Sequence, residues 1–517
     1  MSTRYSKRWM NCSSRQSQAS IAASRHYGWP AVLLLAVSVN AAAQTPNLPD
    51  FGTPADSVLN RSQEAQLGRG VMAQLRSAGA IMDDPIVTEY IQTLGARLAG
   101  HANDGDHRFE FFMVDDDAIN AFALPGGFIG MNSGLILASE RESEVAGVLA
   151  HEVAHVTQRH IARSIYSNQR NSILSMAAMI AAVLLGAAAD ADGQAMQGLI
   201  TASQAMAIQA QINYTRANEH EADRIGIGTL ASAGFDPTAM ATFFEKLSRR
   251  YAFVSDRVPS FLQTHPVTSE RIGEARERAR LLPAVDVTDS VGYEVVKARL
   301  EVLRAPSEEA ALEIFARRID AAGDGVADRY GFALSLHRDG RHDHAQRVFS
   351  ELVDEFPGVI AFRIGEAEAL MENLQTSLAL ARFEEAIELS PRNVPLTLSY
   401  ANALIPAGYP AHAHDLLLDL LNNSTPTPEQ FRLIARAANA EGDIGNAHHY
   451  MSHYYLSIGN LALAFNQIRM ALESPGVNPV DRERFQTEYA ELEAHVNEQF
   501  RARANGQGDG PSAPFLQ

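Results

Sequence analysis

His151-Glu152-Val153-Ala154-His155 is the stretch on which this chain turns. Residues four apart share one face of a helix, so both imidazoles can aim at a single metal ion. Glu152 follows the first of them and stands where it can polarise water on that ion. Zinc lowers the pKa of bound water from about 15.7 to about 7, so a site of this kind makes hydroxide at neutral pH. The helix carrying the pair is expected to begin near Glu142, with Ser139 and Glu142 at the spacing of a capping box. His160, five positions beyond His155, is expected on another side of the helix as a surface or packing residue. A third histidine with metzincin spacing would fall at Ile161, and the glycine of that class at Gln158, so that class is excluded.

Two histidines leave zinc short of one protein ligand and an open position for water. Downstream, Asn218-Glu219-His220-Glu221-Ala222-Asp223-Arg224-Ile225-Gly226 is helical in character and rich in carboxylates. Glu219 and Asp223 are four apart and share a face. One of them can ligate the ion while the other accepts a hydrogen bond from a ligand imidazole. Spacing alone does not separate this from a solvated acidic helix.

Outward from the metal helix, Gln63–Arg76 and Pro85–Leu98 have helical periodicity. The run 109–114 (FEFFMV) reads as a buried strand ended by Asp115-Asp116-Asp117. The glycine-rich segment 120–134 (NAFALPGGFIGMNSG) suggests hairpin strands. Its part 127–135 also suits the role of a strand against which an extended substrate aligns, or simply the completion of an internal sheet.

The chain of 517 residues implies several domains, and 46% hydrophobic with 20% charged residues fits a folded protein. Residues 1–43 read as an export signal. Arg4, Lys7, Arg8, Arg15 and Arg25 precede an apolar core at 31–39 and Ala41-Ala42-Ala43. Removing those five basic residues takes the formal net charge from −18 to −23, and removes Cys12, the only cysteine. Such an acidic chain is not expected to bind nucleic acid, which needs clustered Lys and Arg. The uncharged apolar run at 172–189 approaches membrane-span length, yet a single span would separate the His pair from Glu219. A helical hairpin touching the membrane surface is the favoured reading. Residues 501–517 read as a disordered tail.

Beyond about residue 290 the sequence repeats every 34 residues. Ala333, Ala367, Ala401 and Ala435 align, as do Ala345, Ala379, Ala413 and Ala447, Phe349 with Phe383, and Pro357 with Pro391. This is the tetratricopeptide pattern, an α-solenoid with a concave binding surface.

His151-Glu152-x-x-His155 together with Glu219-x-x-Ala222-Asp223 resembles the M48 family of zinc metalloproteases, over about residues 60–280. Asn120-Ala121-Phe122-Ala123-Leu124-Pro125-Gly126-Gly127-Phe128-Ile129 and His265-Pro266 with Arg271 extend the resemblance. It implies a mainly α, zincin-like (gluzincin) domain with a small β-sheet over 44–285, followed by repeats over 290–500. By the resemblance, one Zn2+ per chain would be held by His151, His155 and Glu219, with Glu152 as general base. Asp223 would act as an acid or orient a ligand, and physical argument favours orientation. His265 would lie on a loop able to fill the open zinc position, and Arg271 would hold that loop or stabilise an oxyanion. The implied role is a periplasmic endopeptidase acting on unfolded or stalled polypeptides in outer-membrane protein assembly, whose repeats dock clients and the assembly machinery. A chaperone-like adaptor with latent proteolysis and a membrane-embedded protease are the alternatives.

Overall fold

The computed structural model describes residues 54–504, apart from 103–107, 168–215, 252–259, 284, 286 and 323–324. The expected export signal, the apolar run at 172–189 and residues 505–517 lie outside the described residues. Among the described residues, no helix is long and apolar enough to cross a membrane.

Helices α1 (Arg61–Ser77) and α2 (Pro85–His101) start where the local chemistry demands. Asn60 and Gln63 form a reciprocal capping box for α1. The Asp84 carboxylate accepts from the amides of Ile86 and Val87 ahead of α2, whose first residue is Pro85. A three-stranded sheet follows, made of β1 (Glu110–Val114), β2 (Ala121–Ala123) and β3 (Phe128–Asn132) in the order β1-β3-β2. β3 is parallel to β1 and antiparallel to β2, so the expected hairpin forms. Because β3 is paired on both sides, it cannot itself receive a substrate strand, and of the two readings of 127–135 the completion of an internal sheet is the one that forms. β1 and β2 are the edge strands, and Ile81 bridges Val114 on the outer side of β1.

The hairpin turn at Pro125-Gly126-Gly127 is enforced by crowding. Gly127 has φ +89°, and a Cβ there would lie 2.0 Å from the Arg108 carbonyl oxygen. After α3 (Ser133–Ala138) comes the metal helix α4 (Glu142–Thr157), buried from Glu142 to Val156. The expected capping box is not formed. Ser139 Oγ donates to the Ile136 carbonyl instead, while Glu142 accepts from the Ser290 hydroxyl and amide. Helices α5 (His160–Ser167), α6 (Arg216–Ser232), α7 (Ala239–Tyr251), α8 (Ser260–Thr264) and α9 (Ser269–Arg280) complete the domain. One apolar core joins Val87, Ile91 and Leu98 of α2, Phe111 of β1, Val148 and Leu149 of α4, and Phe243 and Phe244 of α7 with other buried residues.

The repeats begin with α10 (Val291–Leu303) and α11 (Glu308–Ala322). Then come α12 (Val326–Arg338), α13 (His342–Glu355), α14 (Ile360–Glu372), α15 (Thr376–Leu389), α16 (Val394–Leu404), α17 (Pro410–Asn423), α18 (Pro428–Glu441) and α19 (Ile444–Ser457). From α12 onward the first helices of each pair start 34 residues apart, at 326, 360, 394 and 428. So do the second helices, at 342, 376, 410 and 444. The aligned alanines are buried at the helix crossings, Ala333, Ala367 and Ala401 completely. Helices α20 (Leu461–Glu473) and α21 (Pro479–Ala504) close the array, so four residues of the expected disordered tail are helical.

The two parts share material. One face of α10 gives Tyr293, Val296 and Leu300 to the first core, and another gives Val295, Ala298 and Val302 to the solenoid. Ile86 of α2 packs against both cores and a second solenoid core as well. Arg299 of α10 binds the Asp84 carboxylate at 2.8 and 2.9 Å, and the side chain of Asn393, just before α16, donates to Glu89.

Candidate active site

The helical spacing of α4 stacks His151 over His155, and their Nε2 atoms stand 3.0 Å apart. Helix α6 crosses α4 closely because Gly226 faces the backbone of Ala150 and His151, where a Cβ would lie 3.1 Å away. That crossing brings Glu219 to the pair, 3.6 Å from His151 Nε2 and 3.4 Å from His155 Nε2. His265, at the end of α8, offers a fourth donor. Its Nδ1 is 3.3 Å from His151 Nε2 and 3.1 Å from Glu219 Oε1. All four donor atoms lie within 4.8 Å of one another, and all four residues are buried. Ligand atoms around a tetrahedral ion, with bonds of about 2.0–2.1 Å, sit about 3.3 Å apart. These residues therefore fit a divalent metal.

Glu152 is fully buried, and neither carboxylate oxygen makes a well-formed hydrogen bond. Burial raises its pKa, opposed by the charges of His265 and His151 and by the Ala123 amide of β2. A fully buried carboxylate beside four converging donors, with no strong ion pair of its own, suits a proton-transfer role rather than a structural one.

Around the donors lies a second layer. His151 Nδ1 is 2.9 Å from Asp223 Oδ1. Arg271 grips Asp223 with both arms of its guanidinium, at 2.7 and 2.8 Å, and lies 2.7 Å from Glu219 Oε2. The same guanidinium donates to the Pro266 carbonyl at 2.8 Å, tying the His265 loop to α6. The geometry thus gives Asp223 and Arg271 holding contacts with the ligands and the loop. Burial would raise the Asp223 pKa, but the Arg271 hydrogen bonds and then His151 overcome it and hold the carboxyl low. Burial would also lower the His151 pKa, yet hydrogen bonds to Asp223 and Glu219 carry it up to about 10 in the metal-free chain. His155 goes the other way, held well below its usual value by burial and the neighbouring His151 charge.

Of the two roles expected for His160, surface or packing, the structure gives the buried one. Arg159 takes a left-handed conformation (φ +51°) and ends α4, so the chain turns back before α5. The Arg159 side chain is anchored by Asp56, the Leu59 carbonyl and Glu64. His160 is consequently buried, its Nδ1 2.8 Å from His155 Nδ1 and its Nε2 3.2 Å from Glu221. With His155 Nε2 turned to the ion, a consistent tautomer chain has His155 Nδ1–H donating to His160 and His160 Nε2–H to Glu221. Neither His160 nor Glu221 was legible as a supporting residue.

The family model for Peptidase family M48 matches residues 85–279. The Beta-barrel assembly-enhancing protease of Escherichia coli (strain K12) is 34% identical over 421 residues, covering 79% of this chain and 85% of that protein. The chain belongs to peptidase family M48. A Vibrio cholerae relative is 44% identical over 314 residues, 60% of this chain and 64% of its own length, so that match spans just under two thirds of it. More distantly, the Mitochondrial metalloendopeptidase OMA1 of Arabidopsis thaliana is 27% identical over 241 residues, 46% of this chain and 44% of that one. Membership of M48 makes the buried group of His151, His155 and Glu219 the metal-binding set of a metallopeptidase.

Proposed function

We propose that this chain is a periplasmic zinc endopeptidase that cleaves stalled or misassembled outer-membrane polypeptides, with its repeats receiving clients and the assembly machinery. The observation that carries the catalytic part is the convergence of His151, His155 and Glu219 beside the fully buried Glu152 carboxylate. Similarity to the Beta-barrel assembly-enhancing protease of Escherichia coli over most of the chain supports the client class. The basic, apolar and small-residue pattern of residues 1–43 supports export. A membrane contact through 172–189 rests on its sequence alone.

Zinc at this site supplies Lewis acidity toward a peptide carbonyl and acidifies the attacking water. Glu152 takes the proton of that water and returns it to the departing amine. Asp223 fixes the His151 ring through Nδ1, and His160 does the same for His155. Arg271 keeps Asp223 and Glu219 in place. An extended substrate would align along the β2 edge, whose Ala123 amide acts on Glu152. His265, supplying the fourth donor, favours a resting state in which the open position is closed, so proteolysis is latent until its loop moves.

Glu152→Gln tests the assignment. The variant is expected to keep its catalytic metal and its clients while cleavage of an unfolded outer-membrane protein falls by about 10²–10⁴-fold. Undiminished cleavage by the metal-loaded variant would remove Glu152 as the base.

A further inference from the structure

A second group of metal-type donors lies in the last repeats. His449 and His453 are four apart on α19, and Glu488 of α21 faces both. The two Nε2 atoms stand 3.2 Å apart. His449 Nε2 is 2.9 Å from Glu488 Oε1, and His453 Nε2 is 3.4 Å from Glu488 Oε2. In the catalytic set the corresponding distances are 3.0, 3.6 and 3.4 Å. The same donor types therefore converge at nearly the same spacing, close to the roughly 3.3 Å expected around a tetrahedral ion.

Packing holds the rings in place. Phe485 stacks on His449 with centroids 4.9 Å apart, and Phe431 stacks on His453 at 5.3 Å. A hydrogen bond from His449 Nε2–H to Glu488 accounts for one of the two contacts with the carboxylate. With both Nε2 atoms protonated to reach the carboxylate, two N–H groups face each other at 3.2 Å. An ion between them would accept both lone pairs. The His453 and Glu488 side chains remain 22% and 27% exposed, which leaves a path for an ion and its water.

We propose that His449, His453 and Glu488 form a second zinc-type site that clips α19 to α21. Two imidazoles and one carboxylate are a donor set suited to zinc, with water in the fourth position. Its affinity is lower than that of the catalytic site. Nδ1 of both rings is buried without a hydrogen-bond partner, whereas an Asp223 oxygen stands 2.9 Å from His151 Nδ1 and His160 Nδ1 stands 2.8 Å from His155 Nδ1. Outer-layer partners are commonly worth about 10–100-fold in metal affinity. The clip fastens the end of the solenoid that returns to the first domain. The turn between α19 and α20 lies against α1, where a Cβ on Gly459 would come within 2.9 Å of the Ala73 carbonyl oxygen.

The test uses the full chain with the catalytic ligands removed, His151→Ala/His155→Ala, equilibrated with zinc alone and analysed for bound metal. One zinc per chain is expected to remain, and added zinc is expected to raise the thermal midpoint. Adding Glu488→Gln, which keeps a carbonyl acceptor and the shape, or separately His453→Gln, should remove both effects while the helical circular dichroism is unchanged. Absence of zinc from the folded double variant overturns the site, and so does zinc retained at full occupancy by both added variants. The unaltered chain should hold two zinc ions, so failure of the catalytic reading and failure of this one give different stoichiometries.

Discussion

His265 Nε2 lies 3.5 Å from Glu152 Oε1, while Nδ1 of the same ring stands 3.1 Å from Glu219 Oε1. One imidazole therefore spans the assigned base and a metal ligand, the contact on which the proposed closed resting state rests. His265→Ala should raise the cleavage rate of an unfolded polypeptide by on the order of tenfold, the equivalent of a closed-state preference of about 1.4 kcal/mol. Initial rates measured on metal-loaded protein decide it, and an equal or lower rate would end the plug idea.

Asp223 makes one contact that sets the His151 ring and two that satisfy Arg271. Asp223→Asn keeps the shape and discards the charge. Zinc affinity at the catalytic site should fall by about 10–100-fold, as read by competition with a chromogenic chelator. An unchanged affinity would mean that the ring is fixed by packing alone.

Gly226 allows α6 to approach α4 at the level of His151. In Gly226→Ala the new methyl meets backbone, which cannot rotate away. A loss of about 1–3 kcal/mol in stability is expected, together with weaker metal binding because Glu219 moves with α6. Denaturant midpoints and metal titration test both, and a stabilised variant would show that the crossing has slack.

A pH effect is expected in the solenoid. Burial, and then the charge of nearby His342, hold the His337 pKa below 6.5. The unfolded chain takes up this proton first, so the contribution of His337 to stability is complete above about pH 6.5. It declines as pH falls from there toward the folded-state value. The thermal midpoint of the unaltered chain should thus drop more steeply between pH 8 and pH 5 than that of His337→Gln. Parallel curves would show that the proton is accommodated in the folded state.

Much of this was legible in the sequence because it depends on periodicity. Spacing of four placed His151 with His155 and Glu219 with Asp223 on shared faces, and spacing of 34 placed Ala333, Ala367, Ala401 and Ala435 at helix crossings. What escaped depended on chain reversals and on contacts between distant segments. The left-handed Arg159 turns His160 inward, and no local pattern announces a left-handed arginine held by Asp56 and Glu64. Ser139 had the right neighbour for a capping box, but Ser290 took the Glu142 carboxylate from 148 residues away. The pairing of β1 with β3, which completes the internal sheet, is likewise a long-range event.

The three-way packing of Ile86 has a bearing on how this molecule can be divided. Helix α2 is at once a wall of the metal domain and a neighbour of two solenoid cores, with Asp84 and Glu89 held by residues of the repeats. Severing the chain near residue 290 would strip the cover from Ile86, take Asp84 from Arg299, and expose the face of α10 that packs on the metal domain. The repeats are then less an appendage than a brace, and strain applied to them has a direct mechanical route to helix α2, which packs on the metal helix α4.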